Sequence, residues 1–250
     1  MIIILRKRNV LLFTLIFVLL LAFYGLNINE FEPASAIPEG EADTDVTGTK
    51  RLILIDAGHG GEDPGAVSSY SGIKEKDINL KIAFYLKDCL EELGYSTLMT
   101  REEDVLQYSP ETTNIIQKRR QDLLRRKKMM DEAGADIVVS IHLNKFPETK
   151  YYGAQTFYPH NSPESQKLAI AIQNKLREKV DPNNKRVAMT RGKPNETPII
   201  ILRDLKTPTV IVECGFLSNP DEEKKLGTEE YQKKLASAIA EGIKEYFNDK

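Results

Sequence analysis

The chain has no tryptophan, only two cysteines and only three histidines among its 250 residues. Two cysteines, Cys89 and Cys214, cannot build a disulfide framework and are too few for a cysteine-rich zinc module, so a bound metal must rely on imidazole and carboxylate. Nothing in the sequence shows that they pair. A basic excess is also missing: 35 Lys and Arg stand against 37 Asp and Glu, a net charge of -2. A dedicated nucleic-acid binder needs a basic stripe to neutralise phosphates, so nucleic acid is not an expected partner. The charged fraction of 29% beside 41% hydrophobic residues is that of a globular protein and excludes intrinsic disorder of the whole chain. With His59, His142 and His160 as the complete set, imidazole chemistry is confined to three positions.

Arg6, Lys7 and Arg8 precede an apolar run from Val10 to Leu26, and Ala34-Ser35-Ala36 offers small residues for cleavage. This pattern is an export signal, either a cleaved signal peptide or an uncleaved membrane anchor over 1–36. The positive flank places the remainder on the outer side of the membrane, secreted or anchored in the cell envelope, with membrane contact through this segment alone. Residues 37–50 lack apolar periodicity and read as a linker, so the folded domain is expected over 51–250.

Within that domain apolar runs alternate with amphipathic stretches. Arg51 to Ile55 reads as a buried strand ending in the glycine loop Asp56-Ala57-Gly58-His59-Gly60-Gly61. Ile78, Ile82, Leu86, Cys89 and Leu93 recur at helical spacing over 77–93, and Gly94 stops the pattern. Strands are expected over 95–100, 137–141, 154–158, 199–202 and 209–213, and helices over 114–133, 162–179 and 231–247. The alternation predicts a single α/β domain with a mostly parallel twisted sheet and helices on both faces. The helix over 114–133 concentrates Lys118, Arg119, Arg120, Arg125, Arg126, Lys127 and Lys128, which reads as a solvated face or, at 118–128, as a docking surface for an acidic partner or activator.

In an open α/β sheet the carboxyl ends of the strands share one crevice, so residues far apart in sequence converge there. His59 follows one predicted strand, His142 ends another in Ser140-Ile141-His142-Leu143-Asn144, and Glu213 ends a third. Two imidazoles and a carboxylate around one zinc ion, with a position left for water, form a catalytic arrangement. A carboxylate that is not a ligand would serve as general base and then acid. Glu62, Asp63, Glu75 and Asp77 are all candidates for the carboxylate ligand. The helical H-E-x-x-H spacing is absent.

The segments Asp56-Ala57-Gly58-His59-Gly60-Gly61, Lys74-Glu75-Lys76-Asp77-Ile78-Asn79-Leu80, Ser140-Ile141-His142-Leu143-Asn144 and Glu213-Cys214-Gly215-Phe216-Leu217-Ser218-Asn219 resemble, in this order, the motifs of zinc-dependent N-acetylmuramoyl-L-alanine amidases of the type-3 family. The resemblance covers about Arg51 to Phe247. Within the family, the compact domain with an export signal and no appended repeat is most like the germination-specific amidases of endospore formers.

The resemblance implies one zinc held by His59, Glu75 and His142, with Glu213 as the catalytic carboxylate. It further implies hydrolysis of the amide between N-acetylmuramic acid and L-alanine in peptidoglycan, in spore cortex. Asp77 is then expected as a helix N-cap, and Asp56 and Asn144 are expected to orient ligands or substrate. Ala57 departs from the family pattern, where proline is frequent. His160 matches no family ligand and is expected in a loop near the cleft mouth, with zinc binding as the alternative. A zinc peptidase acting on stem peptides, a silent wall-binding module and an enzyme inactive until a partner binds are the alternatives.

Overall fold

A computed structural model describes residues 50–191, 199–204 and 206–249. The predicted export segment and all but the last residue of the predicted linker lie outside them. Among the described residues no helix is long and apolar enough to cross a membrane.

The first apolar run forms strand β1 (Leu52–Ala57). Helix α1 (Glu75–Glu92) buries Ile78, Ile82, Leu86 and Leu90 along one stripe, the spacing of an amphipathic helix. It ends at Gly94, whose φ of 90° permits the closing bonds from Gly94 N to Glu91 O and from Tyr95 N to Leu90 O. Strand β2 (Ser96–Met99) follows. Helix α2 (Ile115–Glu132) is capped by Asn114, whose side chain accepts from the Ile116 and Gln117 amides. After β3 (Ile137–Asn144) and β4 (Gln155–Tyr158), Ser162 and Pro163 start α3 (Pro163–Lys175), which runs into a π turn over Leu176–Val180. The chain closes with β5 (Met189–Thr190), β6 (Thr209–Phe216), α4 (Pro220–Leu226) and α5 (Glu229–Asn248).

The six strands form one sheet in the order β2-β1-β3-β6-β4-β5. β2, β1, β3 and β6 are mutually parallel, β4 runs antiparallel to β6, and β5 is parallel to β4. Alternation along β1 divides the core: Ile53 and Ile55 join Ile82 and Leu86 of α1, Ile172 of α3 and Ile239 of α5 on one face, while Leu54 meets Met130 of α2 and Ile211 on the other. The expected α/β architecture with helices on both faces is therefore present, with an antiparallel edge added.

Two local expectations differ, and one short helix has no counterpart in the sequence pattern. Residues 199–202 are not a strand: Ile200–Leu202 is a single 3-10 turn. Both edges of β6 are already taken by β3 and β4, so Ile201 and Leu202 pack into the α2-side core instead. Asp77 is not an N-cap; α1 begins at Glu75, behind an N-cap at Lys74, and Asp77 sits exposed in the first turn, where its charge complements the helix dipole. The short helix α4, capped by Asn219, has too few residues to show a period.

Candidate metal centre

The sheet delivers the candidate residues as the strand order dictates. β1 ends at Ala57 and His59 follows in the glycine loop, while His142 lies near the end of the adjacent β3. Glu75 is the first residue of α1. His59, Glu75 and His142 each offer one ligand atom, all within 4.8 Å of one another, and they are the group assembled this way among the described residues. Glu75 Oε1 lies 2.9 Å from His142 Nδ1 and 3.3 Å from His59 Nε2. Ligands bound about 2.0–2.1 Å from a tetrahedral zinc are about 3.3 Å apart, so the observed spacing fits such an ion. The donor set, two imidazoles and a carboxylate, also fits zinc.

Two of the three ligand candidates, His59 and Glu75, are held from behind. His59 Nδ1 donates to Asp63 Oδ2 at 2.7 Å, which leaves Nε2 on the side of Glu75. Asp63 is in turn fixed by Arg119 at 2.8 Å and by the Gly65 amide. Glu75 Oε1 accepts from the Leu143 amide and from Asn79 Nδ2, one helical turn along α1, and its Oε2 accepts from the Ala66 amide at 2.7 Å. Such outer partners fix ring orientation and ligand basicity. Two glycines leave the space: a Cβ on Gly58 would lie 2.3 Å from the His142 ring, and one on Gly65 would lie 2.5 Å from Glu75 Oε2. His59 itself adopts φ 62°, a left-handed conformation that costs a non-glycine residue energy.

That conformation is enforced by two buried arginines. Arg126 of α2 donates to Ala57 O (2.6 Å) and His59 O (2.7 Å), and Arg101 donates to Ala57 O (2.9 Å) and Gly58 O (3.1 Å). Arg126 is 1% exposed and is paired with Asp56 and Asp122. Burial pushes the Asp56 carboxyl up, but Arg126, Ser140 and Thr100 outweigh it and hold its pKa at about 2.

Asp56 therefore acts through Arg126 on the loop carbonyls. Asn144 enters through its carbonyl, which accepts from Leu217 N. The basic helix reads differently as well. Lys118 pairs with Glu62, Arg119 with Asp63, Arg125 with Asp122 and Lys127 with Asp131. Arg120 and Lys128 are its exposed cations, Lys128 with Glu132 3.9 Å away on the same helix.

The electrostatics of the cluster favour positive charge at its centre. Burial disfavours protonation of His59, yet hydrogen bonds with Asp63 and Glu75 raise its pKa to about 9. Burial raises the Glu75 carboxyl, but hydrogen bonds with His142 and His59 hold it well below the ordinary carboxylate range. Either a proton or a metal cation meets that demand.

Glu213 is the fourth member. It is in register with His142 on the neighbouring parallel strand, so the two side chains share a face of the sheet. Its Oε1 lies 3.6 Å from Arg191, and its Oε2 is buried without a hydrogen-bond partner among the described residues. Burial pushes its pKa up; His142 and Arg191 oppose this, and Glu75 adds to it.

Of the other carboxylate candidates, Glu62 is exposed and tied to Lys118 and Tyr108, Asp63 orients His59, and Asp77 points away from the cluster as an exposed residue of the first turn. His160 lies in the turn after β4 and is not in the cluster. Both cysteines are free thiols, Cys89 half-buried and Cys214 buried. Sequence reasoning did not anticipate Asn79, Arg126 or the orienting role of Asp63. The i,i+4 spacing of Glu75 and Asn79 was a usable signal.

Residues 53–245 match the family described as N-acetylmuramoyl-L-alanine amidase. The chain is 38% identical over 201 residues to the germination-specific N-acetylmuramoyl-L-alanine amidase of Bacillus subtilis (strain 168), over 80% of this chain and 81% of that protein. Among solved structures it is similar to the CwlD amidase from Clostridioides difficile, determined in complex with the GerS lipoprotein, with a TM-score of 0.77 and 42% identity over 80% of this chain and 100% of that one. It is also similar to the catalytic domain of CwlV, an N-acetylmuramoyl-L-alanine amidase from Bacillus (Paenibacillus) polymyxa var. colistinus, with a TM-score of 0.63 and 27% identity over 80% and 99% of the two chains.

Proposed function

The chain belongs to the N-acetylmuramoyl-L-alanine amidase family, and from that premise we propose that it hydrolyses the amide between the lactyl group of N-acetylmuramic acid and L-alanine in peptidoglycan, using one zinc ion held by His59, Glu75 and His142. The observation that carries this reading is the placement of Glu213: a buried carboxylate with an unpartnered oxygen, in register with His142 and beside a cation-seeking cluster. Zinc bound there supplies Lewis-acid polarisation of the carbonyl and lowers the pKa of a water to about 7.

Glu213 accepts the proton of the attacking water at its free oxygen as the new C–O bond forms. It then hands that proton to the leaving nitrogen as the C–N bond breaks, freeing the amino group of L-alanine. Arg191 lies 3.6 Å from the other oxygen, where its charge favours the ionised carboxylate. Asp63, Asn79 and the two buried arginines contribute by fixing the ligands before substrate arrives.

We further propose a spore cortex role, supported by the 38% identity to the germination-specific enzyme. Residues 1–36 are proposed as signal or anchor, 37–50 as linker and 51–250 as the catalytic domain, acting in the envelope. A protein partner is supported by the lipoprotein complex of the CwlD relative, and at 118–128 of α2 it would find Arg120 and Lys128 facing outward.

The test is Glu213→Gln. We predict that it retains stoichiometric zinc by metal analysis while muropeptide release falls by about 100-fold or more. Turnover close to the unsubstituted protein would remove Glu213 from its role.

A further inference from the structure

Beside the catalytic edge lies a hollow of about 250 Å³ lined by Lys150, Tyr151, Tyr152, Asn184, Lys185 and Arg186. Three of these six residues are cations and none is a carboxylate. Arg186 is the fixed one. Its Nε donates to Tyr152 O at 2.7 Å, its Nη1 donates to Gln155 Oε1 at 2.9 Å, and its guanidinium carbon lies 4.5 Å over the Phe216 ring.

These contacts hold the plane of the guanidinium and leave Nη2 without a hydrogen-bond partner among the described residues. No carboxylate among the described residues lies within ion-pair distance of it. The acid that attracts it most, Glu222, spends its oxygens on the Gly153 and Phe216 amides. Burial pushes the Arg186 pKa down against the opposing pull of Glu222, the mark of a cation partly stripped of water. A preorganised fork of this kind is suited to a carboxylate.

The hollow is also placed for the substrate. Gln155, which Arg186 grips, is in register with Glu213 across the antiparallel β4 and β6 pair, so the two side chains stand on the same face about 5 Å apart at their Cβ atoms. A peptide extends by about 3.3–3.6 Å per residue. Arg186 is thus joined by one hydrogen bond to the residue paired with Glu213, so a group one or two residues along a chain leaving a scissile amide at Glu213 would come within its reach. Phe146 and Tyr151 pack edge to face beside it with ring centroids 5.3 Å apart, and the buried Phe216 ring lies behind them, 5.3 Å from Phe146.

We propose that this hollow binds a free carboxylate on the second residue of the stem peptide, with Arg186 as the positioning residue and Lys150 and Lys185 as supporting charges. The inference rests on the amidase reading, because that reading places the scissile amide at Glu213.

The experiment measures equilibrium binding to the zinc-loaded full chain carrying Glu213→Gln. Two N-acetylmuramoyl-L-alanyl peptides are compared, one with a free carboxylate on the second residue and one with a carboxamide there. The carboxylate form is expected to bind about tenfold more tightly. Adding Arg186→Gln should bring the two peptides within twofold, chiefly by weakening the carboxylate form, and Arg186→Lys should restore part of the preference. Lys244→Gln, an exposed residue of α5, serves as a charge control and should leave the preference intact.

An unchanged preference in Arg186→Gln, no preference in the parent, or equal weakening of both peptides would overturn the proposal; the last would mark Arg186 as merely structural. Cleavage assays on the unsubstituted chain separate the two readings. Cleavage of both peptides without a binding preference sinks the hollow alone, whereas a binding preference without any cleavage sinks the amidase reading.

Discussion

Glu75 Oε1 is the atom on which both imidazoles close, and the residues that hold it there decide whether the cluster binds metal. Asp63 fixes His59 through Nδ1, so Asp63→Asn is expected to weaken zinc binding by about 10–100-fold while the fold remains. Competition with a chromophoric chelator measures this. Gly58→Ala should be harsher, because its Cβ would lie 2.3 Å from the His142 ring and that ring cannot move without leaving the cluster. Metal analysis of the folded variant is expected to show less than one-tenth of the normal zinc.

At this scale the sequence was partly legible. The scarcity of histidine and the position of His59 and His142 at the ends of apolar runs pointed to the cluster. Asp63, by contrast, stood among several acids near His59, and no spacing rule distinguishes a ligand from the residue that orients one.

At the scale of elements, α2 is the surprise. Seven basic residues on one helix read as a solvated face, yet Arg126 is fully buried and Arg119, Arg125, Lys118 and Lys127 reach acids of their own helix or of the glycine loop. A buried ion pair is invisible to periodicity because its members look like surface residues. Removing one partner leaves the other charged and uncompensated, so Arg126→Met should cost about 3–5 kcal/mol of stability in urea unfolding, with Asp56 and Asp122 left behind.

After Glu213 the β3 and β6 register shifts at a bulge. Glu222 of α4 stitches it by accepting from the Phe216 amide (2.7 Å) and the Gly153 amide (2.8 Å). Burial raises its pKa to about 7 against the opposing hydrogen bonds. An acid whose folded pKa lies above its unfolded value of 4.5 gives its full stability below that value and loses it as pH rises through about 7.

Stability should therefore fall by about 2 kcal/mol more between pH 5 and pH 8 in the unsubstituted protein than in Glu222→Gln. Equal slopes in chemical denaturation would show that Glu222 does not titrate in this window. Helix α4 and this role were not readable in advance: a short capped helix has no period, and a lone glutamate there resembles any surface acid.

At the scale of the whole molecule, the parallel part of the sheet explains why residues separated by more than 150 positions meet. β1, β3 and β6 are consecutive and parallel, so their carboxyl ends open on one edge, and a pattern of buried strands and amphipathic helices was enough to predict that convergence. The antiparallel β4 and β5 edge was not predictable from strand runs alone, since direction depends on the path of the connections. It matters because it carries Gln155 and the hollow.

A metal held by the native cluster and not by the unfolded chain should also stabilise the whole domain. Zinc at about 1,000 times its dissociation constant contributes about 4 kcal/mol, and chelation should lower the thermal midpoint on the order of 10 °C. A midpoint insensitive to zinc would indicate that the three ligands do not form a site.

The central claim is that this chain cuts between N-acetylmuramic acid and L-alanine with zinc at His59, Glu75 and His142. It is tested most directly by digesting purified peptidoglycan with the protein as isolated, after chelation and after zinc is restored, followed by mass analysis of the product ends. The account predicts new L-alanine amino termini in the first sample, their loss on chelation and their return with zinc. Cleavage inside the stem peptide, or release of L-alanine ends that chelation does not diminish, would contradict it.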